Sequence, residues 1–321
     1  MHLTRPALPR GTAVAAWGHY QPPTVLTNDD LVDRGLDSSD EWIRSRVGII
    51  ERRVAEDGQT LLDLAERAGA DALAKSGLGP DDIDLVIFAT CTASTQLQVG
   101  AVEIAHRLGI TAPGAYNLNA ACAGFVYGVS AASDAILAGQ ARNVLVIGAD
   151  KFSDWLDWTE RSTAILFADG AGAGVVTAHP SVKIGPVVWG SDGLNSQAIR
   201  IDDETATIRQ DGQTVYRWAT GTMGDVARRV CERTGVDPSE LAVFVPHQAN
   251  LRIINLIAKK LGATNAIVAD DVVVSGNTSA ASIPIAMSKL LADNAVPSGA
   301  PMLILGFGAG LTYAGQIVLA P

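Results

Sequence analysis

The sequence predicts a layered α/β protein built from two copies of one unit. Three observations point there. The chain repeats itself at a fixed offset. Lys75-Ser76-Gly77-Leu78-Gly79-Pro80, with the run Ile83-Asp84-Leu85-Val86-Ile87, is echoed by Arg233-Thr234-Gly235-Val236-Asp237-Pro238 and Leu241-Ala242-Val243-Phe244-Val245, and Gly77 and Gly235 lie 158 positions apart. Val144-Leu145-Val146-Ile147-Gly148 and Met302-Leu303-Ile304-Leu305-Gly306 recur at the same offset of 158. Self-similarity at one period is the mark of a duplicated unit. Secondly, the strand candidates are continuous Val/Ile/Leu runs, as in sheets covered on both faces. Thirdly, these runs alternate with Ala-rich helical stretches, and 32 glycines suit close helix–sheet packing.

The elements follow in order. A helix ends at the Gly77 cap, Pro80 turns the chain, and 83–90 is a buried strand. Residues 115–118 read as a strand and 125–137 as a helix, before the apolar run at 144. The second copy supplies a strand at 243–246, a helix at 251–261, a helix from 279 to 292 and a strand from 302. The predicted halves are 1–178 and 179–321.

The chain is 48% hydrophobic, with net charge −10 and pI about 4.9. It lacks the basic footprint that nucleic acid requires. Its apolar runs are too short to span a bilayer, and residues 1–10 hold no signal-peptide core. Cys91, Cys122 and Cys231 have neither metal-ligand spacing nor disulfide density. The expectation is a cytoplasmic protein with no metal, nucleic acid or membrane partner.

Cys122 lies in Asn119-Ala120-Ala121-Cys122-Ala123-Gly124-Phe125, at a strand-to-helix turn. The first helical N–H groups and the helix dipole favour negative charge there, hence the thiolate, which attacks carbonyls. A buried structural cysteine is the plainer alternative, and position alone leaves both open. Two later segments tip the balance. Val243-Phe244-Val245-Pro246-His247-Gln248-Ala249-Asn250 delivers His247 at the end of a buried strand, where α/β folds bind ligands. A histidine satisfied by local backbone is the alternative, but so polar a cluster is costly at that place. Ser275-Gly276-Asn277-Thr278-Ser279-Ala280-Ala281-Ser282 is a helix start that one of its polar residues caps. The duplication sets it against the Cys122 turn, because position 280 is the repeat mate of 122. His106 reads as helical, and His2, His19 and His179 as terminal or loop residues. Cys91, at a strand end, is a weaker rival nucleophile, and Cys231 reads as core.

Ala120-Ala121-Cys122-Ala123-Gly124-Phe125, Val245-Pro246-His247-Gln248-Ala249-Asn250-Leu251-Arg252-Ile253-Ile254 and Gly276-Asn277-Thr278-Ser279-Ala280-Ala281-Ser282 resemble the motifs of β-ketoacyl-acyl-carrier-protein synthase III. So do Asp40-Glu41-Trp42-Ile43, Phe167-Ala168-Asp169-Gly170-Ala171-Gly172-Ala173 and Gly306-Phe307-Gly308-Ala309-Gly310-Leu311. The resemblance covers almost the whole chain. It implies the thiolase-like fold, a five-layered αβαβα sandwich with pseudo-twofold symmetry, in a homodimer. It implies an acyltransferase that condenses an acyl-CoA primer with malonyl-ACP, with loss of CO₂, and so initiates fatty acid synthesis. Acyl-CoA and malonyl-ACP are its substrates, and no cofactor is called for.

By the same resemblance, Cys122 is the acyl acceptor and His247 and Asn277 act on the malonyl group. The N–H groups of Cys122 and Ala309 form the oxyanion hole. Trp42, Arg46, Arg161, Asn250 and Arg252 match coenzyme A positions. Leu97, Phe167 and Tyr216 match the acyl pocket and channel. Arg217, Arg252, Lys259 and Lys260 match carrier-protein docking positions, though Lys259 and Lys260 fit an ordinary solvated face as well. Three features depart from the family pattern: Gln98 replaces a usual proline, Tyr216 stands where Phe is frequent, and the 192–213 segment is short. Gln98 and the short segment bear on primer choice, not on the chemistry.

A degradative thiolase needs a second late cysteine, and none follows Cys231. Elongating synthases use Cys-His-His, and only His247 lies beyond residue 179. A starter-unit ketosynthase or acyltransferase of a polyketide pathway is the nearest alternative. A cysteine thioesterase and an inactive scaffold subunit are more distant ones.

Overall fold

The computed structural model describes residues 8–93, 99–293 and 296–321. Leu97 and Gln98, as well as His2, lie outside these residues. Two five-stranded sheets organise the molecule. The first holds β1 (Gly11–Tyr20), β2 (Leu85–Ala89), β3 (Gly114–Leu118), β4 (Asn143–Lys151) and β5 (Asp169–His179), in the spatial order β1-β5-β4-β2-β3. The second holds β6 (Val188–Ser191), β7 (Val243–Pro246), β8 (Ile267–Val268), β9 (Pro301–Gly308) and β10 (Thr312–Leu319), in the order β6-β10-β9-β7-β8. Strand for strand the two orders are the same. So are the directions: β4 pairs parallel with β2 as β9 does with β7, and β5 and β10 are each antiparallel to both neighbours.

Seven helices concern the site: α1 (Asp40–Val47), α2 (Leu61–Ser76), α3 (Gly100–Arg107), α4 (Gly124–Leu137), α5 (Gly212–Thr234), α6 (Leu251–Leu261) and α7 (Ser282–Ala292). α4 and α7 fill the space between the sheets. α2 and α3 cover the outer face of the first sheet, and α5 and α6 that of the second. The result is five layers. The continuous apolar strands are explained by this sandwich. Val144 and Val146 of β4 face the central cluster with Val126 and Val129 of α4, whereas Leu145 and Ile147 face Leu64, Ala68 and Ala72 of α2. Met302 and Ile304 of β9 point inward, and Leu303, Leu305 and Phe307 pack with α5 and α6. Each such side chain contributes about 1.5–3 kcal/mol on burial.

Local signals set the element ends. Thr60 caps α2 in a capping box with Asp63, and Gly77 ends it in the left-handed region at φ 72°. Gly235, the repeat mate of Gly77, ends α5 at φ 70°. His106 is in α3 and Cys231 is buried in α5, as expected. Two histidines are corrected. His19 lies on β1, with Nδ1 2.9 Å from Ser288 Oγ, and His179 ends β5. Both occupy polar strand ends that the sequence does not distinguish from loops.

Candidate active site

β3 ends at Leu118, and one 3₁₀ turn, Ala121–Ala123, leads into α4. Ala121 sits at φ 47°, a conformation costly for a residue with a Cβ. The Asn119 side-chain Oδ1 accepts the Ala121 N–H at 3.1 Å and fixes the turn. Cys122 is thereby buried, with 6% of its surface exposed. Its sulfur accepts a hydrogen bond from Ser279 Oγ at 3.4 Å and lies within reach of the N–H groups of Ala309 and of Cys122 itself. A Cβ on Gly308 would stand 2.7 Å from Cys122 Cβ and 2.9 Å from Sγ, so only glycine lets β9 pass there. Ala309 is outside the left-handed region, so its N–H is presented without backbone strain.

Burial pushes the Cys122 thiol up to about 12, and the Ser279 hydroxyl and the two N–H groups only partly counter this. The N–H groups favour the thiolate, as the helix start leads one to expect, but by less than burial disfavours it. Removal from water is the larger effect.

β7 delivers His247, 2% exposed, whose N–H donates to Leu305 O at 2.7 Å. Its Nδ1 lies 2.7 Å from Ser282 Oγ, which also accepts the Gln248 N–H at 3.3 Å. When the Ser282 hydroxyl donates to Nδ1, the ring proton sits on Nε2, facing the cavity side of the ring as a donor. Burial lowers the His247 pKa to about 3, so the ring is neutral at physiological pH. Asn277 is held on three sides. Its N–H donates to Leu166 O at 2.8 Å, its carbonyl accepts from Ala168 N at 2.9 Å, and its side-chain Oδ1 accepts from Ser279 N at 2.9 Å. The last contact fixes the amide orientation, leaving the NH₂ as the end with no hydrogen-bond partner among the described residues.

Cys122, His247, Asn277 and Ala309 line one cavity of about 1220 Å³. Trp42, Arg46, Arg161, Phe167, Tyr216, Arg217, Asn250 and Arg252 line it as well. The guanidinium of Arg161 lies 4.6 Å from the centre of the Trp42 ring, and that of Arg46 lies 5.6 Å away. Arg252 lies 5.5 Å from the Tyr216 ring centre. The Asn250 side chain caps α6 through the Arg252 N–H at 2.9 Å. Phe167 stacks on Phe152 at 4.4 Å and forms an isolated β-bridge with Asn277. Lys259 and Lys260 do not line the cavity. They are exposed in the last turn of α6, where Lys260 is tied to Thr220 O. Cys91 lines the same cavity, but the turn that seats Cys122 is absent there.

Sequence reasoning missed Ser279, Ser282 and Gly308 as supports of the three central residues. Ser279 and Ser282 stood in the Asn277 motif but read as capping residues. The closeness of Gly308 to Cys122 is a contact between distant segments that no local pattern announces.

Two matched sheets in five layers, with a buried cysteine at a helix start and His247 and Asn277 in the same cavity, agree with what the resemblance implies, an acyltransferase of the thiolase fold. The comparisons narrow this. The 3-oxoacyl-[acyl-carrier-protein] synthase III family matches residues 116–193, and its C-terminal part matches residues 231–319. The chain is 51% identical over 315 residues to β-ketoacyl-[acyl-carrier-protein] synthase III 4 of Streptomyces coelicolor, covering 97% of this chain and 99% of that one. The corresponding synthase III 2 of Streptomyces avermitilis is 52% identical over 314 residues, covering 97% and 99%. The priming β-ketosynthase of the R1128 polyketide pathway superposes with TM-score 0.95 at 39% identity, covering 99% and 98%. 3-Oxoacyl-[acyl-carrier-protein] synthase III of Aquifex aeolicus does so with TM-score 0.91 at 39% identity, covering 96% and 100%. The chain belongs to the 3-oxoacyl-[acyl-carrier-protein] synthase III family of acyltransferases.

Proposed function

We propose that the protein joins an acyl-CoA primer to malonyl-ACP in two half-reactions at Cys122. The observation that carries this reading is the convergence of Cys122, His247 and Asn277 on one cavity, each held by hydrogen bonds from Ser279 or Ser282. The Cys122 sulfur attacks the thioester carbonyl, and the N–H groups of Cys122 and Ala309 receive the oxyanion. Malonyl-ACP then loses CO₂. Charge collects on its thioester oxygen, to which His247 Nε2–H and the Asn277 NH₂ donate. No base is needed, which suits a neutral imidazole and an amide. The carbanion attacks acyl-Cys122 and releases β-ketoacyl-ACP.

Trp42, Arg46, Arg161, Asn250 and Arg252 serve coenzyme A in this reading. Arg161 packs so closely on Trp42 that an adenine enters only as one of the pair moves aside. Arg217 and Arg252 at the cavity are better placed to meet an acidic carrier protein than Lys259 and Lys260. Phe167 and Tyr216 shape the acyl path. The reading needs no cofactor, takes the two halves to meet near residue 178, and includes a cytoplasmic homodimer. Among the described residues no helix is long and apolar enough to cross a membrane.

The test is direct. Incubation with acyl-CoA adds the acyl mass to the Cys122 peptide, and addition of malonyl-ACP yields β-ketoacyl-ACP by mass spectrometry. An ester product or free acid with no condensed product contradicts the reading. A panel of primers separates a housekeeping synthase from a pathway-specific priming enzyme, the activity named for its R1128 neighbour.

A further inference from the structure

Arg52, on the short strand Glu51–Arg53, is fully buried, and the chemistry above does not use it. Burial lowers its pKa only to about 10, so it remains a cation. Among the described residues no carboxylate pairs with it; the adjoining Arg53, not Arg52, reaches Glu51 at 3.7 Å. A charge held out of water without a counter-ion is costly. What the guanidinium does with its donors is therefore informative.

Those donors go to neutral oxygens of three segments. Nη1 donates to Leu26 O at 3.3 Å, and Nη2 donates to Asn28 Oδ1 at 2.9 Å and to Ile165 O at 3.0 Å. Asn28 is itself fixed, because its amide donates to Asp40 Oδ1 and to Ile49 O, both at 2.8 Å. The contact with Ile165 ends beside Asn277. Leu166, the next residue, accepts the Asn277 N–H, and Ala168 donates to the Asn277 carbonyl. The Arg52 stem lies on the other side of the same turn. Gly276 sits at φ 69°, and a Cβ there would stand 2.9 Å from Arg52 Cβ, 2.9 Å from Ala168 Cβ and 3.3 Å from Leu166 O. Gly276 thus threads between the Arg52 stem and the 166–168 segment. Two residues before Arg52, the Ile50 N–H donates to Val273 O at 2.8 Å and ties the strand to the chain that leads into this turn.

We propose that Arg52 is a positioning residue for Asn277. Its head anchors the segment that hydrogen-bonds Asn277, and its stem walls the residue before it. The Asn277 NH₂ is thereby aimed at the oxygen on which charge collects as malonyl-ACP loses CO₂, so the inference rests on the proposed function. Arg52 is not among the residues that line the cavity, and it acts only through Asn277. None of its hydrogen bonds reaches the Cys122 turn. Its effect therefore falls on one half-reaction. A lysine would keep the charge but lose the planar fork that serves all three oxygens.

The test measures the two half-reactions separately in wild type, Arg52→Lys, Arg52→Met, Asn277→Ala and the double variant Arg52→Lys with Asn277→Ala. Acyl transfer from acyl-CoA to Cys122 is read by mass spectrometry. CO₂ release from malonyl-ACP is followed on enzyme already acylated at Cys122. Each Arg52 variant should lower kcat for CO₂ release about 10–10²-fold, less than loss of the Asn277 donor itself. KM for malonyl-ACP should stay within about twofold and Cys122 acylation within about threefold. In the Asn277→Ala background, Arg52→Lys should cost less than about threefold more, because residues that act through one another are not additive. Arg52→Met removes the buried charge along with its cost, so it decides the matter if Arg52→Lys fails to fold. Unchanged CO₂ release in both Arg52 variants overturns the proposal. So does an equal fall in both half-reactions, which would make Arg52 a general support. A full further fall in the double variant does the same. Wild type that is acylated yet releases no CO₂ sinks the proposed function and this inference with it. Wild type that completes both steps, with Arg52 variants that match it, sinks this inference alone.

Discussion

At the scale of single residues, the site is a set of donors whose orientation is fixed by neighbours. Ser282 fixes the orientation of the His247 ring, and the Ser279 N–H sets the Asn277 amide. His247→Ala or Asn277→Ala should slow malonyl-ACP decarboxylation about 10²–10³-fold, the usual effect of removing one oxyanion donor. Radiolabelled CO₂ release measures it, and acylation of Cys122 should fall much less. The buried imidazole also leaves a mark on stability. The folded pKa of about 3 lies below the ordinary 6.5. Below about pH 6.5 the unfolded chain takes up a proton that the native chain refuses. This contribution is intact above the unfolded value, and stability falls as pH drops toward about 3, by up to about 1.4 kcal/mol per pH unit. Urea unfolding at about pH 7 and about pH 5 should show a smaller loss in His247→Asn than in wild type. Equal losses would place the imidazole in water.

Elements decide what the sequence revealed and what it hid. The strand end that carries His247 was legible, because a buried apolar run stopping at polar residues has few other meanings, whereas the strand before Cys122 is largely unburied and was read from its short run into a turn of small residues. The α6 span was equally clear, framed by the Asn250 cap and by Gly262 at φ 80°. The short pieces were not. The hairpin Ile199–Ile201 with Ile208–Gln210, which borders the cavity, has no periodicity to read. α1, only eight residues long, owes its place to the packing of Ile43 and Val47 against the segment that includes Phe152, Leu166 and Phe167. It presents Trp42 at the cavity, well away from Cys122 in the chain. Trp42→Ala should therefore raise the KM for acyl-CoA about tenfold through lost stacking, with kcat changed less than about twofold. Steady-state kinetics with acyl-CoA varied at saturating malonyl-ACP checks this. A fall in kcat alone would put Trp42 in the chemistry instead.

Across the whole molecule, the repeat at 158 residues reaches into the site itself. Asn119 and Asn277 are repeat mates, and each side-chain oxygen accepts the N–H two residues on, at 3.1 and 2.9 Å. Ala121 and Ser279, also mates, share the left-handed conformation at φ 47° and 52°. The same turn thus opens α4 and α7, but only the first holds a cysteine; Ala280 fills the mate's place. The offset was visible from two matched apolar runs. That the halves interlock was not, since no sequence pattern states which turn meets which strand. The glycines show it. A Cβ on Gly148 of β4 would lie 2.6 Å from the Ala280 carbonyl oxygen, and one on its mate Gly306 of β9 would lie 2.8 Å from Ala123 Cα. Each half's central strand therefore presses on the other half's turn. Both obstacles are backbone, so neither can swing aside as a side chain would. Gly148→Ala and Gly306→Ala should each cost about 1–3 kcal/mol, as overpacking does. The similar size of the two losses, in halves that differ so much in chemistry, is the sharper expectation, and thermal unfolding of both variants measures it. Gly306→Ala should in addition slow the acylation of Cys122, because the displaced turn carries the proposed nucleophile. Gly148→Ala displaces the turn behind Asn277 and should slow decarboxylation more. If either substitution leaves stability unchanged, the two halves do not meet through these turns, and the convergence of Cys122 with Asn277 would need another cause.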